Sequence, residues 1–293
     1  MGTSPYELET QLDFTAPVII IGPGRSGTTM LGAALGEHSD FYMIGETRFL
    51  IQRLWATFCE QKDYVNYRRL SCLAQQTRSE WSNLPWYTFA TEVIGHEHDG
   101  TLGERFAELE AAEQSRVIQE IGASFARLLI PPSLRRRRWG MQEIWIGSDS
   151  FPYPWDLYRI AFPNALYLHS VRNPFTYLAS NFNVNRELAT EERAEYELRQ
   201  WLKMTRHARK LVDTSRYMEF RYEDFIGDGG RTAERIFEFC GLKLEERCRR
   251  ALSIRCLPSN GPNSFAERAE DFLTSIPELE DEMTMLGYLK AAK

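Results

Sequence analysis

The stretch Ala16-Pro17-Val18-Ile19-Ile20-Ile21-Gly22-Pro23-Gly24-Arg25-Ser26-Gly27-Thr28-Thr29 constrains the fold more than any other in the chain. Its β-branched run between Pro17 and Gly22 carries no polar alternation, the mark of a strand buried on both faces. Thr28 to Glu37 follows with Met30, Leu31, Ala34 and Leu35 at helical spacing. Between strand and helix lie three glycines, which let the backbone turn tightly and aim its N–H groups inward. The positive N-terminal end of the helix completes a pocket suited to a compact polyanion. A plain glycine-rich turn would not need the donors of Arg25, Ser26, Thr28 and Thr29.

A nucleotide triphosphatase would carry lysine after Gly27 and an aspartate on another strand to help hold magnesium. Here Thr28 follows Gly27, the cation stands upstream at Arg25, and the next long apolar strand, Asn164 to Arg172, ends in arginine. Fixed protein cations meet the anion, and no metal ligand set is expected. Such a site suits a nucleotide whose transferable group is already activated.

The remaining pattern alternates strand and helix. Asp40 to Gly45 is a short strand candidate ending at Glu46, residues 47–130 read as mostly helical, and a long amphipathic helix spans about Glu191 to Val212. Arg216 to Phe225 is a third strand candidate after the loop, and Arg231 to Leu242 is a helix closed by Gly241. No strand is assigned to residues 138–149, and no repeat or linker divides the chain. The expectation is one α/β domain over 1–293, with a central parallel sheet flanked by helices and 47–130 as a helical insertion on the acceptor side.

Composition bounds the partners. A net charge of −6 argues against a general nucleic-acid binder, and the Arg135–Arg138 block reads as a solvated face or a helix end. The 5 cysteines form no CxxC pair, which points to reduced thiols without a zinc site. No apolar run reaches membrane-spanning length, and the polar N-terminus is unlike a signal peptide. A cytoplasmic protein with no membrane partner is expected; oligomeric state is not legible.

Gly22-Pro23-Gly24-Arg25-Ser26-Gly27-Thr28-Thr29 resembles the 5′-phosphosulfate loop of sulfotransferases that use 3′-phosphoadenosine 5′-phosphosulfate (PAPS). Leu166 to Ser180 resembles their 3′-phosphate segment, an arginine at a strand end followed eight residues later by serine. Phe220 to Phe225 and Ile236 to Leu242 resemble later segments of bacterial and Golgi-type members, in the same order. The resemblance implies a P-loop-like sulfotransferase fold of secondary metabolism, with PAPS as co-substrate and PAP as product. It assigns Gly24, Arg25, Ser26, Gly27, Thr28 and Thr29 to the 5′-phosphosulfate, Arg172 and Ser180 to the 3′-phosphate, and Tyr222 to the nucleotide. Arg255, Ser259 and Asn260 fall where the family often closes a loop over the nucleotide.

Transfer to an alcohol, phenol or amine requires a base. Glu46 is the leading choice: it follows a short strand, at the C-terminal edge of the sheet, and Ile44 to Leu50 is similar to the segment carrying the glutamate base of tyrosylprotein sulfotransferases. The alternative for Glu46 is a helix N-terminal carboxylate. Arg25 would act with it as a catalytic residue, and Arg48 would orient Glu46 or the sulfate. His169 reads as a strand residue, and His96 and His98 as loop residues beside an acceptor pocket or on the surface. Many relatives place a sulfonate-contacting lysine where this chain has Gln142 and Glu143. Glu143 beside Trp145 suits a cationic or aromatic small-molecule acceptor; the bland alternative is a surface glutamate in a helix or loop. A non-catalytic PAPS binder and a P-loop kinase or NTPase remain the competing readings.

Overall fold

The computed structural model describes residues 13–47, 107, 109–134, 138–144, 156–184, 189–211, 214–228, 230–253 and 269–290. Within them β1 (Val18–Gly22) is the middle strand of a five-stranded sheet, fully buried along its length. Its partners are β2 (Phe41–Glu46), β3 (Arg138–Ile144), β4 (Leu166–Val171) and β5 (Tyr217–Arg221). The order is β2-β3-β1-β4-β5, with every neighbouring pair parallel.

Parallel strands need crossovers, and helices supply them on both faces. These are α1 (Thr28–Gly36), α2 (Ala111–Leu129), α3 (Asp156–Ala161), α4 (Pro174–Val184), α5 (Glu191–Leu211), α6 (Tyr222–Gly227), α7 (Arg231–Phe239), α8 (Glu246–Ser253), α9 (Ala269–Ser275) and α10 (Pro277–Met285). Val18 and Ile20 pack with Leu31, Ala34 and Leu35 of α1 and with Ile236 and Phe237 of α7. Ile19 and Ile21 point the other way, into a cluster with Trp139, Met141, Tyr158 and Phe162. The unalternating apolar run thus follows from burial on both sides. A third cluster, built on Val171, Phe182, Trp201 and Phe272, packs α4 and α5 against α9 and α10.

β3 is the element that the sequence pattern hides. Its burial is nearly continuous, yet Gln142 and Glu143 interrupt the apolar run on opposite faces and erase both strand periodicities. The third strand candidate is also corrected: only Tyr217 to Arg221 is strand, and Tyr222 opens α6. Of the expected insertion, residues 47, 107 and 109–130, with α2 among them, are described, and the rest lies outside the described residues. Arg135 to Arg137 lie outside them too, while Arg138 begins β3. Cys240 and Cys248 are buried free thiols, and burial pushes Cys240 up to about 12. Among the described residues no helix is long and apolar enough to cross a membrane.

Connections leave β1 toward β2 and leave β4 toward β5, so the crevice between β1 and β4 is where the winding reverses. Open α/β sheets bind ligands at the C-terminal ends of strands flanking such a reversal.

Candidate active site

The loop after β1 turns through positive φ at three positions and is held there by hydrogen bonds. Gly22, Arg25 and Gly27 have φ of 136°, 67° and 84°, and Arg25 is the one non-glycine with positive φ among the described residues. Holding a side chain in that region costs on the order of 1 kcal/mol or more, which a functional loop tolerates when its surroundings enforce it. Ser26 Oγ donates to Pro23 O at 2.6 Å, and Ser170 Oγ donates to Ser26 O at 2.5 Å. A Cβ on Gly22 would sit 2.3 Å from Ser170 O, so β4 leaves room for glycine alone.

Gly27 caps α1 with no side-chain hydrogen bond, and the first turn holds no acidic residue. The first intrahelical bond described runs from Leu31 N–H to Gly27 O at 3.0 Å. The amides of Thr28, Thr29 and Met30 therefore lack i−4 acceptors inside α1 and form the positive end of its dipole. Thr28 is buried, whereas Arg25 and Thr29 are exposed.

Arg172, just beyond β4, reaches back to this loop. Its Nη1 donates to Arg25 O at 2.8 Å and its Nε to Thr176 Oγ1 at 3.1 Å. The guanidinium lies 4.7 Å from the centre of the Tyr222 ring, a cation–π contact. The same ring would meet a Cβ on Gly27 at 2.5 Å, so Tyr222 closes against the loop directly. Burial lowers the Arg172 pKa, Tyr222 and Glu223 oppose this, and Arg25 adds to it. Arg25 Nε donates to Ser180 Oγ at 3.3 Å, which ties the loop to α4. Two guanidinium groups of like charge thus face one crevice at the helix N-terminus. Electrostatics favours an anion there, and a fork-shaped donor fits phosphate oxygens in pairs.

On the far side of β1, β2 carries a bulge. Met43 pairs with Gly140 but Glu46 pairs with Gln142, so three residues of β2 span two of β3. Gly45 takes up the extra residue at φ 89°. Regular pairing would have set Glu46 opposite Glu143. The bulge moves it to the register of Gln142, whose amide packs against α1: a Cβ on Gly32 would lie 2.0 Å from Gln142 Nε2. Glu46 therefore stands exposed at the C-terminal end of β2, on the α1 face.

A sequence model described as the sulfotransferase family matches residues 17–246. The chain belongs to the sulfotransferase family. The match runs from β1 to the start of α8 and covers the loop after β1, the β4–α4 turn and the β2–β3 edge. No curated protein matches this sulfotransferase significantly. Among solved structures it is similar to the sulfotransferase domain from the Synechococcus PCC 7002 olefin synthase, at 21% identity over 86% of this chain and 82% of that one, with a TM-score of 0.49. It is also similar to a sulfotransferase from Alicyclobacillus acidocaldarius, at 14% identity over 92% and 96%, TM-score 0.47. A third is mouse sulfotransferase SULT7A1 complexed with PAP, at 10% identity over 85% and 66%, TM-score 0.42.

In this sulfotransferase the structure brings Arg25, Gly27, Arg172, Ser180 and Tyr222 into one contact set, with Gly24, Ser26 and Thr28 buried in the loop beneath. Glu143 is fully buried within β3, on the face of Trp139 and Met141, so the surface-glutamate alternative is overturned. Arg48, His96, His98, Trp145, Arg255, Ser259 and Asn260 lie outside the described residues. The sequence reading passed over Ser170 and Thr176, which brace the loop and the Arg172 fork. A serine in the alternation of a buried strand is the signal that marks Ser170.

His169 is buried as expected, but within an ionic network. Its Nδ1 lies 2.5 Å from Tyr217 Oη and 3.2 Å from Glu219 Oε2, while Tyr217 donates to Glu219 at 3.0 Å. Arg209 grips both Glu219 oxygens, at 2.7 and 2.9 Å. Burial alone would raise Glu219, yet hydrogen bonds from His169 and Arg209 outweigh it and hold the carboxyl at about 2.

Proposed function

We propose that this sulfotransferase transfers the sulfuryl group of PAPS to a hydroxyl or amine of a small metabolite and releases PAP. The observation that carries this reading is the Arg25–Arg172–Tyr222 cluster packed on an uncapped helix N-terminus at the sheet's winding reversal. The residues present fit such a nucleotide. Loop amides, Arg25, Ser26, Thr28 and Thr29 would hold the 5′-phosphosulfate, Arg172 and Ser180 the 3′-phosphate, and Tyr222 the base or sugar. PAPS supplies an already activated sulfuryl group. The loop donors stabilise charge on the leaving phosphate, and electrostatic help of this kind is commonly the largest catalytic contribution. Glu46 takes the acceptor's proton from the other side of the α1 N-terminus. The proposed location is cytoplasmic.

Turnover and binding separate this reading from its rivals. Glu46→Gln is expected to lower kcat by roughly 10²–10⁴-fold while PAP affinity, read by calorimetry without magnesium, stays within about twofold. Unchanged turnover would remove Glu46 as the base. PAP binding without acceptor-dependent PAP release would instead identify a nucleotide-binding protein that has lost catalysis.

Arg48, Trp145 and Glu143 are the acceptor-side residues of this proposal. Because Glu143 is fully buried, it acts on a cationic acceptor through its field, one layer beneath the strand end. Glu143→Gln is expected to raise the acceptor KM and leave the PAPS KM unchanged. Equal changes in both constants would dismiss a role in acceptor choice.

A further inference from the structure

Arg172 can grip phosphate only if the turn between β4 and α4 is held still, and side chains from three distant parts of the chain hold it, two directly and one through Glu223. Trp201 Nε1, on α5, donates to Arg172 O at 3.0 Å. Asn173 N–H donates to Glu223 Oε1 at 2.9 Å. Tyr288, beyond α10, donates its hydroxyl to Glu223 Oε2 at 2.8 Å and approaches Val171 O at 3.3 Å. Arg172 and Asn173, consecutive residues of the turn, are therefore fixed by side chains from distant parts of the chain, and Tyr288 in turn aims Glu223.

The third anchor is itself built. Gly287 closes α10 at φ 75°, and Tyr288 N–H folds back to Met283 O at 2.8 Å. Arg221 Nη1 donates to Leu286 O at 3.4 Å and Gly287 O at 3.3 Å, and its guanidinium lies 5.7 Å from the Tyr288 ring centre. Asp224 holds that guanidinium with two bonds of 2.9 and 2.7 Å. Burial and the Glu223 carboxylate both push the Tyr288 hydroxyl pKa upward, so it remains a donor.

We propose that Glu223 and Tyr288 are positioning residues for Arg172, so that the segment after α10 completes the nucleotide 3′-phosphate grip. This rests on the reading of Arg172 as the 3′-phosphate ligand. Glu223 does two things: it fixes the Asn173 amide, and its charge offsets the Arg25–Arg172 repulsion before an anion arrives. Tyr288 aims Glu223. Neither residue touches the reacting atoms, so their effect falls on binding of one phosphate and spares the chemical step.

The experiment compares PAP with adenosine 5′-monophosphate, which lacks the 3′-phosphate, by calorimetry on the full chain. Tyr288→Phe removes one hydroxyl and keeps the ring under Arg221. It is expected to weaken PAP roughly tenfold and to leave adenosine 5′-monophosphate within about twofold, the pattern that Arg172→Ala should show more strongly. Glu223→Ala, a second variant should the first fail to fold, is expected to show the same selectivity. Equal weakening of both nucleotides, or of neither, would overturn the positioning role. A wild-type protein that binds PAP no more tightly than adenosine 5′-monophosphate would overturn the assignment of Arg172, and this inference with it.

Discussion

At the residue scale, Arg172 joins the proposed phosphate grip to the architecture of the loop. One end of its fork braces the loop through Arg25 O, the other engages Thr176, and its face rests on Tyr222. Lysine can supply the charge but neither the planar fork nor the stacking. Arg172→Lys is therefore expected to cost PAP binding about 1.4–2.8 kcal/mol, or roughly 10–100-fold in Kd by calorimetry, despite conserved charge. A change within twofold would show that point charge alone suffices. Arg172 and Ser180 were legible in the sequence because a strand-ending arginine followed by a helix leaves a linear signature. Their partners were not: Arg25 meets Ser180 across 155 positions.

At the element scale, the bulge in β2 decides which face Glu46 occupies. A Cβ at Gly45 would have open space around it, with nothing within 4 Å, so any effect of substitution comes from the backbone. At φ 89° an L side chain is strained by on the order of 1–2 kcal/mol, and regular pairing with β3 becomes the cheaper arrangement. Gly45→Val is expected to lower thermal stability modestly and to lower kcat markedly, because regular register turns Glu46 toward the opposite face. PAP affinity should be unaffected, since the loop and Arg172 belong to other strands; parallel loss of PAP binding would refute that separation. β2 was readable as a strand ending at Glu46, whereas its bulge was not. Bulge position is set by pairing with β3, and β3 itself carries polar residues on both faces.

At the scale of the whole molecule, the C-terminal helices are bound to the sheet by charge as well as by apolar packing. Glu282 on α10 is nearly buried and meets both Arg206 and Arg209 of α5, and Arg209 also holds Glu219 of β5. Glu219 shows how this couples to pH. Its carboxyl titrates near 2 in the folded protein against an ordinary 4.5, so its contribution is complete above about 4.5 and is lost as pH falls toward 2. The magnitude is on the order of 3 kcal/mol, from a shift of that size. Stability measured by denaturant unfolding should fall across that window in the wild type, and the fall should be smaller by that amount in Glu219→Gln. Equal slopes in the two proteins would mean that Glu219 gains nothing from its partners.

From sequence alone the buried central strand, the strand–loop–helix segment after it and the arginine closing β4 could be read. These are local: a β-branched run, glycines at forced turns and an arginine at a strand end keep their signatures within a few positions. The place of β3, the face of Glu46, the burial of Glu143 and the bond network of Glu223 and Tyr288 at the turn after β4 came only with tertiary structure. Each depends on which distant segment becomes a neighbour, as when 65 positions close between Glu223 and Tyr288 to make one 2.8 Å bond. The opening stretch can be read as a loop for an anion, but only the packed sheet shows which side chains hold it in shape.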